Sequence, residues 1–241
     1  MRALQRLLRL LLHVAIGLWT IKWRFPRLSQ PERDAAVQAW AHRMLACAGV
    51  ELRVLGEVPQ TGPVLLAANH ISWLDILVMH AARHCRFISK SDIEHWPLIG
   101  TLATAGGTLY ITRESRRDAL RVVHHMAQCL SAQDVLAVFP EGTTGDGSSV
   151  LPFHANLFQA AISADAPVVP VGLSFTDARS GEISFAPCYV GDDILPGSIW
   201  RTLCAQNLVA VVHFGPAQRA QGRDRRRWAK DLRDAVIGLR G

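Results

Sequence analysis

A chain of 241 residues, nearly half of them apolar, suffices for one α/β domain with a short appendage and a sizeable core. Charged residues make up only 19 %, low for a freely soluble protein, and the formal net charge is +6. Five scattered cysteines without a C-x-x-C pair exclude a disulfide framework and read as reduced thiols of a cytosolic compartment.

The charge is unevenly placed. Residues 1–28 carry six basic and no acidic side chains, residues 216–241 carry eight basic and three acidic, and the body between them is net acidic. Basic ends on an acidic body suit an anionic surface. The N-terminal charges alternate with leucines and tryptophans, which favours lipid over nucleic acid. For the C-terminal run, a solvated basic face is the competing reading.

In chain order, the apolar run from Leu10 to Ile21, between Arg9 and Lys22, is short of the roughly 20 residues of a spanning helix. No small-residue cleavage site follows it, which argues against a removable signal peptide. Trp19 and Trp23 suit the headgroup boundary, so an interfacial or shallowly inserted helix is expected. Ser29, Pro31 and Glu32 predict the capped start of a second helix that Gly49 ends. Residues 1–48 are thus read as membrane-associating helices and 49–241 as an α/β domain.

Beyond Val50, buried strands are predicted at 64–68, 135–139, 168–173 and 208–214, with weaker candidates at 86–89 and 108–111. Helices are predicted at about 73–84, 115–131, 154–164, 197–206 and 222–239. The alternation predicts a mainly parallel sheet flanked by helices, with its site at the carboxyl ends of the strands.

Three segments at strand ends carry chemistry. Asn69-His70-Ile71-Ser72-Trp73-Leu74-Asp75 leaves the first strong strand and exposes His70, with Asp75 in the first turn of the next helix. A carboxylate holding one imidazole nitrogen leaves the other as a general base. Gly106-Gly107-Thr108-Leu109-Tyr110-Ile111-Thr112-Arg113 places Arg113 past another strand, where its fork suits phosphate or carboxylate. Phe139-Pro140-Glu141-Gly142-Thr143-Thr144-Gly145 sets Glu141 beside the hydroxyls of Thr143 and Thr144 and glycine amides that suit a polar head.

Taken together, N-H-x4-D, G-x-x-Y-I-x-R and F-P-E-G-T, in that order and followed by Val168-Val169-Pro170-Val171-Gly172, resemble the glycerolipid acyltransferase family typified by 1-acyl-glycerol-3-phosphate acyltransferases. The resemblance covers about 60–215. It implies an α/β domain, often with an N-terminal membrane-binding helical hairpin, that moves an acyl group from a thioester to a lysolipid hydroxyl. It implies His70 as base and Asp75 as its partner. Arg113, Glu141, Gly142 and Thr143 would bind the acceptor's head, and Val169 and Pro170 would help shape the acyl side. It also implies no metal, no cofactor and no acyl-enzyme. The donor would be acyl-coenzyme A or acyl carrier protein, and the location the cytoplasmic face of the inner membrane.

Two departures bear on the acceptor. Thr144 stands where many members have Arg or Ser, and Phe153-His154-Ala155-Asn156 replaces a frequent Phe-Lys-x-Gly. With that cation absent, 1-acyl-glycerol-3-phosphate shares the field with another lysolipid such as lyso-ornithine lipid. A non-enzymatic lipid-binding protein is the alternative of another class. A serine hydrolase lacks its G-x-S-x-G elbow, zinc at His80, His84 and Cys85 lacks a further ligand cluster, and no nucleic-acid recognition motif accompanies the basic ends.

Overall fold

The computed structural model describes residues 1–111 and 116–240. The chain opens with two helices, α1 (Arg2–Trp23) and α2 (Gln30–Ala48). Glu32 Oε2 accepts from the Ser29 amide at 2.8 Å and from its hydroxyl at 2.6 Å, which fixes the start of α2 as expected. Gly49 ends α2 at φ 76°, and a Cβ there would come within 2.4 Å of the Arg6 guanidinium.

Seven strands follow: β1 (Val50–Gly56), β2 (Val64–Ala68), β3 (Arg86–Lys90), β4 (Leu109–Ile111), β5 (Val135–Val138), β6 (Val168–Asp177) and β7 (Leu208–Phe214). They form one sheet in the order β1-β7-β6-β2-β5-β3-β4. Among the described residues only β6 and β7 pair antiparallel, so the sheet is mainly parallel as predicted. β1 and α4 (Ile99–Ala105) were not foreseen. β1 is a largely exposed edge strand without an apolar run, and α4 spans only two turns.

Helices cover both faces. Val64, Leu66 and Ala68 of β2 join the core beneath α2, α3 (Leu74–Ala82) and α7 (Leu195–Cys204). Leu65 and Ala67 point the other way, into the core under α5 (Arg116–Ser131), α6 (Phe158–Ser163) and α8 (Arg225–Arg240). Successive strand side chains alternate between faces. A strand buried on both faces therefore reads as the continuous run Val-Leu-Leu-Ala-Ala.

α1 packs outside α2. Trp40 Nε1 donates to the His13 carbonyl at 3.2 Å, and His13 Nε2 donates to the Trp40 carbonyl at 2.9 Å. At Gly17 a Cβ would approach Trp40 Nε1 to 2.5 Å. On its outer side Leu4, Leu8, Leu11, Leu12, Ile16, Trp19 and Trp23 are exposed, a full-length apolar stripe with helical spacing. By length and composition α1 is also the one described helix apolar enough to cross a membrane. The C-terminal basic run does not reinforce this face. Arg225, Arg226, Arg227 and Lys230 are exposed on α8, which packs on the opposite side of the sheet.

Candidate active site

The site forms where β2 and β5 end side by side. Asn69, buried at the end of β2, donates through Nδ2 to the Leu173 carbonyl at 3.0 Å and accepts from the Leu173 amide at 2.7 Å. This side-chain amide continues the β2–β6 ladder for one more rung. The backbone itself is thereby free to turn away at His70.

Asp75, fully buried in the first turn of α3, receives that turn. Its Oδ2 accepts from His70 Nδ1 at 2.8 Å, from the Ile71 amide at 2.6 Å and from the Ser72 amide at 2.9 Å. Because Nδ1 is the donor, Nε2 is the basic nitrogen. It makes no hydrogen bond among the described residues, and the His70 side chain is 18 % exposed, so an incoming hydroxyl can reach it. The ring lies flat on Phe139, centroids 3.9 Å apart and planes 7° from parallel, and Phe139 stacks on Phe87. Carboxylate and aromatic face together hold one ring orientation.

The peptide of His70 is also held at both ends. Glu141 Oε1 accepts from the His70 amide at 2.6 Å, and the Gly145 amide donates to the His70 carbonyl at 2.8 Å. Glu141 Oε2 accepts from the Leu151 amide at 2.7 Å. Burial pushes the Glu141 carboxyl upward in pKa, and these two amides pull it back in part. Both oxygens of Glu141 are thus engaged with backbone. Gly142 turns the chain at φ 74°, where a Cβ would lie 2.9 Å from the His154 ring. Thr143 is exposed at the surface, whereas the Thr144 hydroxyl donates to the Tyr189 carbonyl. Arg113 lies outside the described residues.

The structure adds partners that sequence reasoning did not single out. The Ser72 hydroxyl donates to the Pro187 carbonyl at 2.5 Å, and the Tyr189 amide donates to the Ile71 carbonyl at 3.2 Å. The segment 187–189 thereby staples the His70 turn to the Thr144 loop. Nothing in its local sequence signals this, because the pairs are long-range. His80 borders the aromatic stack, its ring edge-on to Phe87 with centroids 5.1 Å apart and 5.3 Å from the His84 ring, and burial pushes His80 down to about 3.

A carboxylate-oriented imidazole with one accessible basic nitrogen, fixed in both ring and peptide, is equipped to deprotonate a hydroxyl. Comparison with known proteins agrees with that chemistry. The sequence profile of the Acyltransferase family matches residues 49–174. A lyso-ornithine lipid O-acyltransferase of Pseudomonas aeruginosa is 35 % identical, over 98 % of this chain and 92 % of its own length. A 1-acyl-sn-glycerol-3-phosphate acyltransferase of Neisseria gonorrhoeae is 37 % identical, over 80 % of this chain and 76 % of its own. The crystal structure of the 1-acyl-sn-glycerophosphate acyltransferase PlsC from Thermotoga maritima shares the fold, with a TM-score of 0.67 at 17 % identity over 99 % of this chain and 98 % of that one. The His70–Asp75 pair and the Glu141 loop both fall within the matched residues, and the chain belongs to the acyltransferase family.

Proposed function

We propose that this acyltransferase moves a fatty acyl group from a thioester to the hydroxyl of a lysolipid, with 1-acyl-glycerol-3-phosphate as acceptor and acyl-coenzyme A or acyl carrier protein as donor. The observation that carries the proposal is the accessible Nε2 of His70, opposite an Nδ1 bonded to buried Asp75. As the acceptor oxygen attacks the thioester carbonyl, its proton passes to Nε2, and Asp75 stabilises the imidazolium that forms. The tetrahedral intermediate collapses to an ester and a thiolate. The thiolate then takes the proton back from Nε2, leaving the enzyme as it began. No acyl-enzyme and no cofactor enter this sequence.

A second acceptor, lyso-ornithine lipid, is favoured by two observations. The P. aeruginosa relative named for that activity aligns with nearly the whole chain. His154 stands where a lysine would otherwise follow the phenylalanine. The outward apolar stripe of α1, with Arg2, Arg9 and Lys22 on the same helix, supports attachment to an anionic membrane, which we assign to the cytoplasmic face.

The test is mass spectrometry of lipids formed when the purified chain receives equal amounts of both lysolipids and each donor in turn. A two-chain product made by the wild type and absent with His70→Ala is expected. A protein that binds vesicles yet forms no such product with either donor is a lipid-binding protein, and the enzymatic proposal fails.

A further inference from the structure

We propose that the C-terminal helix α8 is part of the active site, with Arg233 and Arg240 as positioning residues that hold His70 in place through the loop 141–151. The idea rests on the acyl-transfer reading above and adds to it residues that lie beyond the family-matched 49–174.

The loop 141–151 supplies both hydrogen bonds to the His70 peptide, one from Glu141 and one from Gly145. It contains no helix or strand, and Gly142, Gly145 and Gly147 leave its backbone pliant. Segment 187–189 holds it at Thr144 and Asp146, and α8 fixes it at two further points. Arg233 Nε donates to the Val150 and Leu151 carbonyls at 3.1 and 3.0 Å, and its Nη2 donates to Val150 at 2.5 Å. Arg240 Nη2 donates to the Gly147 carbonyl. Seven residues apart, the two arginines project from one face of α8, two turns from each other. The helix that carries them is immobilised by fully buried Trp228, Leu232 and Val236.

Leu151 joins the clamp to the chemistry. Its carbonyl accepts from Arg233 while its amide donates to Glu141, whose other oxygen accepts from the His70 amide. Arg233, Leu151, Glu141 and His70 thus form one unbroken line of hydrogen bonds between an outer helix and the base. Charged donors make the strongest members of such a line. Displacing a catalytic group by even an ångström lowers turnover steeply. Neither arginine hydrogen-bonds to the His70 ring, so both are positioning residues, and the charge of Arg240 also helps to lower the Glu141 carboxyl in pKa.

The experiment compares Arg233→Ala, Arg240→Ala, Glu141→Gln and the Arg233→Ala/Glu141→Gln double variant. All are assayed as full chains at temperatures where thermal melts show them folded. Arg233→Ala is expected to lower kcat roughly 10- to 100-fold while the donor KM stays within about threefold. The double variant is expected to lose little more than either single one, because both break the same line. Arg233→Lys, and free guanidinium added to Arg233→Ala well below denaturing concentrations, are expected to restore part of the rate. Amide exchange at residues 69–72 is expected to quicken in Arg233→Ala. A kcat within twofold of wild type, additive losses in the double variant, or unchanged exchange at 69–72 overturns the proposal. If Arg233→Ala does not fold, Arg233→Lys and Arg240→Ala carry the same readouts. Should the wild type turn over no lysolipid, the functional reading fails, while the exchange measurement still decides the clamp.

Discussion

Replacing Asp75 by asparagine separates two roles that the carboxylate combines. The Ile71 and Ser72 amides both point at Oδ2, so the asparagine oxygen must take that position to receive them. His70 Nδ1 then still meets an acceptor, and the tautomer with basic Nε2 survives. What disappears is the negative charge beside the imidazolium. At an effective dielectric of about 20, two unit charges about 4 Å apart attract by about 4 kcal/mol, an upper bound on the transition-state loss. The kcat of Asp75→Asn is therefore expected to fall roughly 10²- to 10³-fold. The new NH₂ group takes the place of Oδ1, which is buried and has no hydrogen-bond partner among the described residues. Unmatched donors there cost about 1–3 kcal/mol of stability. Steady-state kinetics and urea unfolding on the same preparation measure both quantities. A kcat within about threefold of wild type would refute the charge argument. Undiminished stability would show that the amide does not sit as reasoned.

Three further outcomes follow from the geometry. Gly142→Ala combines φ 74° with a His154 ring 2.9 Å from the new Cβ, and a loss of at least about 1 kcal/mol in urea unfolding is expected, a neutral result counting against the turn as described. Leu8→Gln with Leu12→Gln on the outer side of α1 is expected to weaken co-sedimentation with anionic vesicles by roughly 1.5–3 kcal/mol per side chain without lowering the melting temperature, and full retention would remove the stripe from the lipid contact. Burial holds His80 neutral, with its pKa pushed from 6.5 down to about 3, so between those values the unfolded chain binds a proton that the folded chain refuses. Stability is therefore complete above pH 6.5 and declines as the pH falls towards about 3, with His84, also lowered by burial, adding to the slope. Urea unfolding across that range is expected to show a shallower decline in His80→Leu, by up to about 1.4 kcal/mol per pH unit, and an identical slope would assign the effect elsewhere.

Local physics made much of this molecule readable from its residues. Val64 to Ala68 could be buried only as a central strand, and the residues leaving it had to turn at a sheet end, which located His70 and Asp75. Ser29, Glu32 and Gly49 marked the limits of α2 because caps are chemistry of adjacent residues. β1 escaped notice because an edge strand with one strand neighbour needs no continuous apolar run. The backbone partners of Glu141 were hidden for another reason. A carboxylate at a strand end looks like a ligand for substrate, and only the folded chain reveals that two amides, 71 positions before it and 10 after it, occupy both oxygens. The arginines of α8 pose the same difficulty. Charge and helical period describe a basic helix, but not that Arg233 ends on carbonyls more than 80 residues away.

The tie between His13, Gly17 and Trp40 has a consequence for the traffic of lipids. α1 cannot leave the domain to pierce a bilayer without abandoning both hydrogen bonds to Trp40 and those that Arg6 makes to the Leu203 and Ala205 carbonyls. A bilayer that receives its outer stripe is therefore touched from one side only. With the membrane docking proposed above, single-chain acceptor would enter from the near leaflet and two-chain product would return to that same leaflet. Each turnover would then enlarge one sheet of lipid and not the other. Balanced growth of the membrane then requires a separate agent that carries lipid across.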